Sequence, residues 1–93
     1  LGTRKNRNIQ NALIRKGFQQ HNSKDIKLTL YHNGKKTRIV TWVSHGTKEI
    51  SDKLIGIMAR QLKIEKNEFE NLVDCTLSEQ GLIDLYNKRE IQF

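Results

Sequence analysis

The sequence predicts an α+β domain of two layers, with a helical extension at its C-terminal end. Three observations predict it. Ile26, Leu28 and Leu30 alternate with Lys27, Thr29 and Tyr31, and a second run rich in β-branched and aromatic residues follows over residues 37–43. Alternation of period two marks a half-buried strand. Between the runs stands His32-Asn33-Gly34, and Asn and Gly tolerate the positive φ of a tight reversal, so the pair reads as a β-hairpin. Apolar residues at helical spacing flank this hairpin on both sides: Ile9, Ala12, Leu13 and Ile14 before it, and Leu54, Ile57, Met58, Ala59 and Leu62 after it.

Taken in order, residues 1–7 read as a mobile basic arm. Asn8 can cap a first helix that runs to Lys16 and stops at Gly17, with Phe18 packing back on its end. Residues 19–24 are polar and turn-like. The hairpin covers residues 26–43, with Ile39, Thr41 and Val43 on one face of its second strand and Arg38, Val40 and Trp42 on the other. Residues 44–49 form a loop, with room for a short third strand beside it. Ser51 or Thr47 caps the next helix, which runs to about Lys63, and Glu49 and Asp52 near its start complement the helix dipole. One or two helical turns follow over residues 67–73, with Phe69 and Leu72 inward. Residues 74–77 read as a short edge strand. Ser78 caps a last helix to about Lys88, packed by Leu82, Ile83, Leu85 and Tyr86. The order is α-β-β-(β)-α followed by α or βα.

The chain has 93 residues, one domain's worth, and 35% of them are hydrophobic, enough for one modest core. Cys75 is the only cysteine, which excludes an internal disulfide, fits a reducing cytoplasm and reads as a small core residue. No Cys/His spacing suggests zinc, and no cofactor motif occurs. The apolar runs are too short to span a membrane, and the basic N-terminus lacks the apolar stretch of a signal peptide. Leu1 in place of Met points to a trimmed chain or a piece of a longer one.

Charge is sorted along the chain. Residues 1–48 hold eleven of the seventeen Lys and Arg but one of the ten Asp and Glu, a formal +10 against −3 for the remainder. A local excess of this size attracts polyanions, nucleic acid first among them. The cations on or beside the hairpin are Lys24, Lys27, Lys35, Lys36, Arg38 and Lys48, and the arm adds Arg4, Lys5 and Arg7. Tyr31 and Trp42 are aromatic surfaces on which bases can stack, although Trp42 also suits a half-buried place against a helix or a partner. His45 is the best-placed histidine for chemistry or for a phosphate contact. His21 and His32 fall in turns and read as surface residues.

Three stretches together resemble the HicA (YcfA-like) toxin family, small prokaryotic messenger-RNA interferases. They are the helix ending in Lys16-Gly17-Phe18; the strand, Asn33-Gly34 turn and strand ending at His45; and His45-Gly46-Thr47-Lys48-Glu49-Ile50 followed by an amphipathic helix, Ile64 and Glu68-Phe69. The similarity spans residues 9–72. It implies a fold like that of double-stranded-RNA-binding domains, an antiparallel sheet with helices on one face, for residues 8–73, with residues 74–93 an extension packed on the same domain. It also implies a catalytic His in the first strand of the hairpin, where this chain has Lys27 or, in another alignment, Lys24. The stretch from Gly34 to His45 is a few residues longer than the family's.

Metal-free RNA cleavage needs a group that exchanges protons near neutral pH, which His does and an unperturbed Lys does not. The expected function is therefore nucleic-acid binding, RNA before DNA, without the family's ribonuclease activity. The alternatives are an active, metal-independent interferase of a toxin–antitoxin pair, and a protein-interaction module that docks an acidic partner. The partners implied are nucleic acid, an antitoxin and a second copy of the chain, with no membrane.

Overall fold

The computed structural model describes residues 3–93. β1 (Arg4–Lys5) leads directly into α1 (Asn6–Arg15), followed by β2 (Phe18–Asn22), β3 (Ile26–His32), β4 (Lys35–Val43) and β5 (Glu49–Ile50). Three helices complete the chain: α2 (Asp52–Gln61), α3 (Lys66–Val73) and α4 (Glu79–Lys88). β2, β3 and β4 form an antiparallel meander in that spatial order, and β1 pairs with β5 in a separate two-stranded ribbon. The result is a small α+β domain, as the residue pattern predicts. Among the described residues no helix is long and apolar enough to cross a membrane.

The hairpin forms where alternation and the turn residues place it. Asn33 and Gly34 take φ of 54° and 75°, the two positive values of a type I′ turn. Cross-strand rows on one face are His21–Lys27–Trp42, Gln19–Thr29–Val40 and Tyr31–Lys36. Between the last two rows three residues of β4, Thr37–Ile39, stand opposite Leu30 alone, so the strand carries a two-residue bulge. Thr37 satisfies it: its hydroxyl donates to the Leu30 carbonyl at 2.6 Å and accepts from Ile39 N–H at 3.1 Å. Two extra residues preserve the alternation, so Lys36 stays on the same face as Val40 and Trp42.

The opposite face is the core. Phe18, Ile26, Leu28, Leu30, Ile39 and Val43 are buried against Ile9 and Leu13 of α1, Ile55 and Met58 of α2 and Phe69 and Leu72 of α3. α4 seals the far side through Leu82, Ile83 and Tyr86, and the Tyr86 hydroxyl donates to the carbonyl of Leu62 just past α2. Burial raises the Tyr86 phenol well above its ordinary range, and the nearby Glu68 carboxylate adds to the rise.

Several expectations are corrected. Arg4 and Lys5 are not a free arm but pair with Ile50 and Glu49, and the helix starts at Asn6 rather than after Asn8; Leu1 and Gly2 lie outside the described residues. Residues 18–22 form a strand, not a turn, because β3 offers its edge. Residues 74–77 form a turn, with Cys75 exposed at φ 66° rather than packed in the core. Leu54 and Ile57 are not in the buried stripe of α2, whose inward residues are Ile55, Met58 and Ala59. Ile14 likewise faces solvent.

Candidate nucleic-acid interface

The loop end of the sheet gathers one group of cations. Asn6, itself buried, holds the 44–48 loop against the start of α1: its side-chain amide donates to the carbonyls of Thr47 (2.7 Å) and Ser44 (3.3 Å), and its own N–H to that of Lys48 (2.9 Å). Gln10 donates to the Asn6 side-chain oxygen, which fixes the amide's orientation. A cleft of about 760 Å³ opens beside this anchor, lined by Lys5, Arg7, Gln10, His45 and Lys48 among others.

His45 ties this loop to the neighbouring one. Its Nε2 lies 2.9 Å from the Ser23 carbonyl, and a carbonyl only accepts, so Nε2 carries the proton and donates. Nδ1 has no hydrogen-bond partner among the described residues. The bond places the turn that bears Lys24 next to the loop that bears Lys48.

The open face of the sheet carries the second group. A groove of about 180 Å³ runs over it, lined by Gln19, His21, Lys27, Thr29, Tyr31 and Lys36. The cross-strand register sets His21 directly beside Lys27 and Lys36 beside Tyr31. Arg38 is exposed at the bulge and Lys35 at the turn end of β4. Tyr31 is half-buried between cations, and Trp42 is 44% exposed at the edge of the same face. His32 does not join them; its ring packs 5.7 Å from that of Phe93.

Carboxylates sit elsewhere. Eight of the ten lie between Asp52 and Glu90, on α2, α3, α4 and their connections. Among the described residues the ion pairs are Arg4–Asp74, Lys66–Asp52 and Arg89–Glu68, each using a carboxylate of this helical region. Arg4 donates to both oxygens of Asp74, at 2.6 and 3.0 Å, which withdraws it from the predicted set. None of Lys5, Arg7, Lys24, Lys27, Lys35, Lys36, Arg38 and Lys48 is ion-paired among the described residues.

The structure thus brings Lys5, Arg7, His45 and Lys48 together at one end and Lys27 and Lys36 together on the open face, with Lys24, Lys35 and Arg38 at the margins. Sequence reasoning missed Asn6, whose role depends on a loop far along the chain, and His21, which looked like a turn residue because β2 is polar on both faces. Among the described residues no three His, Cys, Asp or Glu side chains gather as metal ligands.

No family model, no curated protein and no solved structure matches the chain.

Proposed function

We propose that this chain is a small nucleic-acid-binding module, RNA favoured over DNA, that keeps the fold and basic surface of the HicA-like interferases without their ribonuclease activity. The observation that carries the reading is the sorting of charge by layer. Eight unpaired cations line the sheet face and its loop end, where the carboxylates are Asp25 and Glu49 alone, while the other eight carboxylates lie in the helical region and supply the acid of every ion pair among the described residues. Phosphate contacts need such cations free of internal partners, and they position a strand without reading its bases. Tyr31 beside Lys36 adds a ring against which a base can stack. The helix, three-stranded meander and helix from α1 to α2 support the likeness to double-stranded-RNA-binding domains. Lys27, or in another alignment Lys24, stands where the HicA resemblance expects the catalytic His, which supports the loss of activity.

The test is fluorescence anisotropy with labelled single-stranded RNA, duplex RNA and duplex DNA across a salt series, with cleavage followed on gels. Binding is expected to weaken with salt at a log–log slope of roughly −0.7 to −0.9 per neutralised phosphate. Replacing Lys27 and Lys36 together by Glu lowers affinity about tenfold or more, since each reversed charge turns an attraction into a repulsion. Cleavage lost in His45→Ala or His21→Ala would make the protein the active interferase instead. Absence of salt-sensitive binding to all three polymers would overturn the reading.

A further inference from the structure

β4 pairs with β3 on one side only, so its other side is a free strand edge. The two halves of that edge differ. Lys35, Lys36 and Arg38 crowd the first half, and charge of this kind guards an edge against strand addition. The second half, Val40 to Val43, carries no charge. Alongside it α2 leaves Leu54 and Ile57 exposed by 42% and 37%, next to Trp42 at 44%. These three line one groove of about 160 Å³ with Val43, Ile50 and Met58. Scattered single apolar residues on a surface are ordinary, and Ile14 is one; three large ones bordering one groove beside an unguarded strand edge form a docking surface.

We propose that this groove receives an extended, acidic segment of a partner protein, which adds to β4 as a further strand and inserts an apolar side chain between Trp42, Leu54 and Ile57. Charge selects the occupant. Lys53 and Arg60 flank the Leu54–Ile57 stripe on α2, and Arg38 precedes the uncharged half-strand on β4. All three are exposed and without an ion pair among the described residues. Asp52, the carboxylate next to Lys53 in the chain, is engaged by Lys66. A second copy would bring the same cations and a further net charge of +7 to this rim, so it meets repulsion where an acidic strand meets attraction. Backbone bonds along β4 would supply the register, and the groove the preference for an apolar residue at alternate positions. The groove lies round the β4 edge from the Lys27–Lys36 groove and adjoins it at Trp42, the cross-strand neighbour of Lys27; the two share no lining residue, so the proposal stands whether or not nucleic acid binds there.

Trp42 is the only tryptophan, which makes it the reporter. The probe is a terminally blocked peptide of alternating Val and Glu, compared with its Val–Lys counterpart and with a version interrupted by Pro. Saturable movement of Trp42 emission to shorter wavelength is expected with the Val–Glu peptide alone, together with slowed hydrogen exchange of the amides of residues 40–43. Leu54→Glu or Ile57→Ser weakens the response about tenfold and leaves RNA affinity unchanged; each side chain is a little over half buried, so the urea midpoint falls slightly but the variants stay folded under the assay conditions. Three results would each overturn the proposal: no response to the Val–Glu peptide, an equal response to the Val–Lys or Pro-bearing peptide, or sedimentation showing that the chain alone dimerises with Trp42 and residues 40–43 protected. RNA protecting the same amides while the peptide does not would assign the groove to nucleic acid.

Discussion

Cys75 shows how much a single residue's surroundings decide. Its thiol is exposed at the turn after α3, and the side chains of Lys16 and Arg15 at the end of α1 approach it, Arg15 at 4.0 Å. Hydrogen bonding from Lys16, then from Arg15, holds its pKa below the ordinary 9.0 because the thiolate gains most from neighbouring cations. Alkylation by iodoacetamide is therefore expected to titrate with a midpoint below 9.0, and Lys16→Gln to move that midpoint upward. An unchanged pH–rate profile in the variant would refute the pairing. Glu68 behaves in the same sense. The Arg89 guanidinium donates to it, at 2.9 Å for one of the two bonds, and holds its carboxyl below the ordinary 4.5. A depressed carboxyl stabilises the fold above about pH 4.5 and loses that contribution as the pH falls through its folded value. Arg89→Gln should accordingly lower the unfolding temperature at neutral pH, and the gap to the parent should close at low pH.

At the scale of elements, one buried side chain governs a whole loop. Asn6→Ala removes the amide that holds the Ser44 and Thr47 carbonyls and leaves both facing a part-buried gap. The expected loss is about 2 kcal/mol in urea unfolding, with faster hydrogen exchange throughout residues 44–48. Helix ends offer the reverse experiment. The residues that follow α2, α3 and α4 with positive φ are Lys63, Cys75 and Glu90, at 64°, 66° and 56°, where Gly is the usual occupant. Lys63→Gly should stabilise the protein by about 0.5 kcal/mol, the relief of left-handed strain less the extra freedom of the unfolded chain. These same endings limit what can be read from the chain. Gly17 announced the end of α1, but no Gly announces the end of α3, and the turn around Cys75 passed for a strand. The hairpin was legible because alternation and Asn33-Gly34 agree, and Ser51 and Ser78 marked their helices by bonding to the N–H groups of Leu54 and Gly81. β2 was not, since Gln19–Asn22 carry no alternation and owe their conformation to the strand beside them. The cations of the candidate interface were legible as a set, while their division between the open face and the loop cleft is a tertiary fact.

For the molecule as a whole, a basic sheet side and a helical side whose cations and carboxylates nearly balance make the two layers electrostatically unlike. Such a body turns its basic side toward a polyanion before contact, so its association rate with RNA should fall steeply with ionic strength while dissociation changes less. Stopped-flow measurement over a salt series checks this; a rate indifferent to salt would mean the layering does not steer approach. The open sheet face on which this depends is continuous because pairing with β3 resumes on both sides of the irregularity in β4, Thr29 opposite Val40 and Tyr31 opposite Lys36. Removing Arg38 would leave two residues opposite Leu30, an ordinary bulge, with the flanking rows on their present faces. Removing Thr37 instead would also take away the hydroxyl that caps the Leu30 carbonyl and receives the Ile39 N–H. Of two deletions equal in length, the loss of Arg38 should therefore be borne and the loss of Thr37 felt as a lower melting temperature.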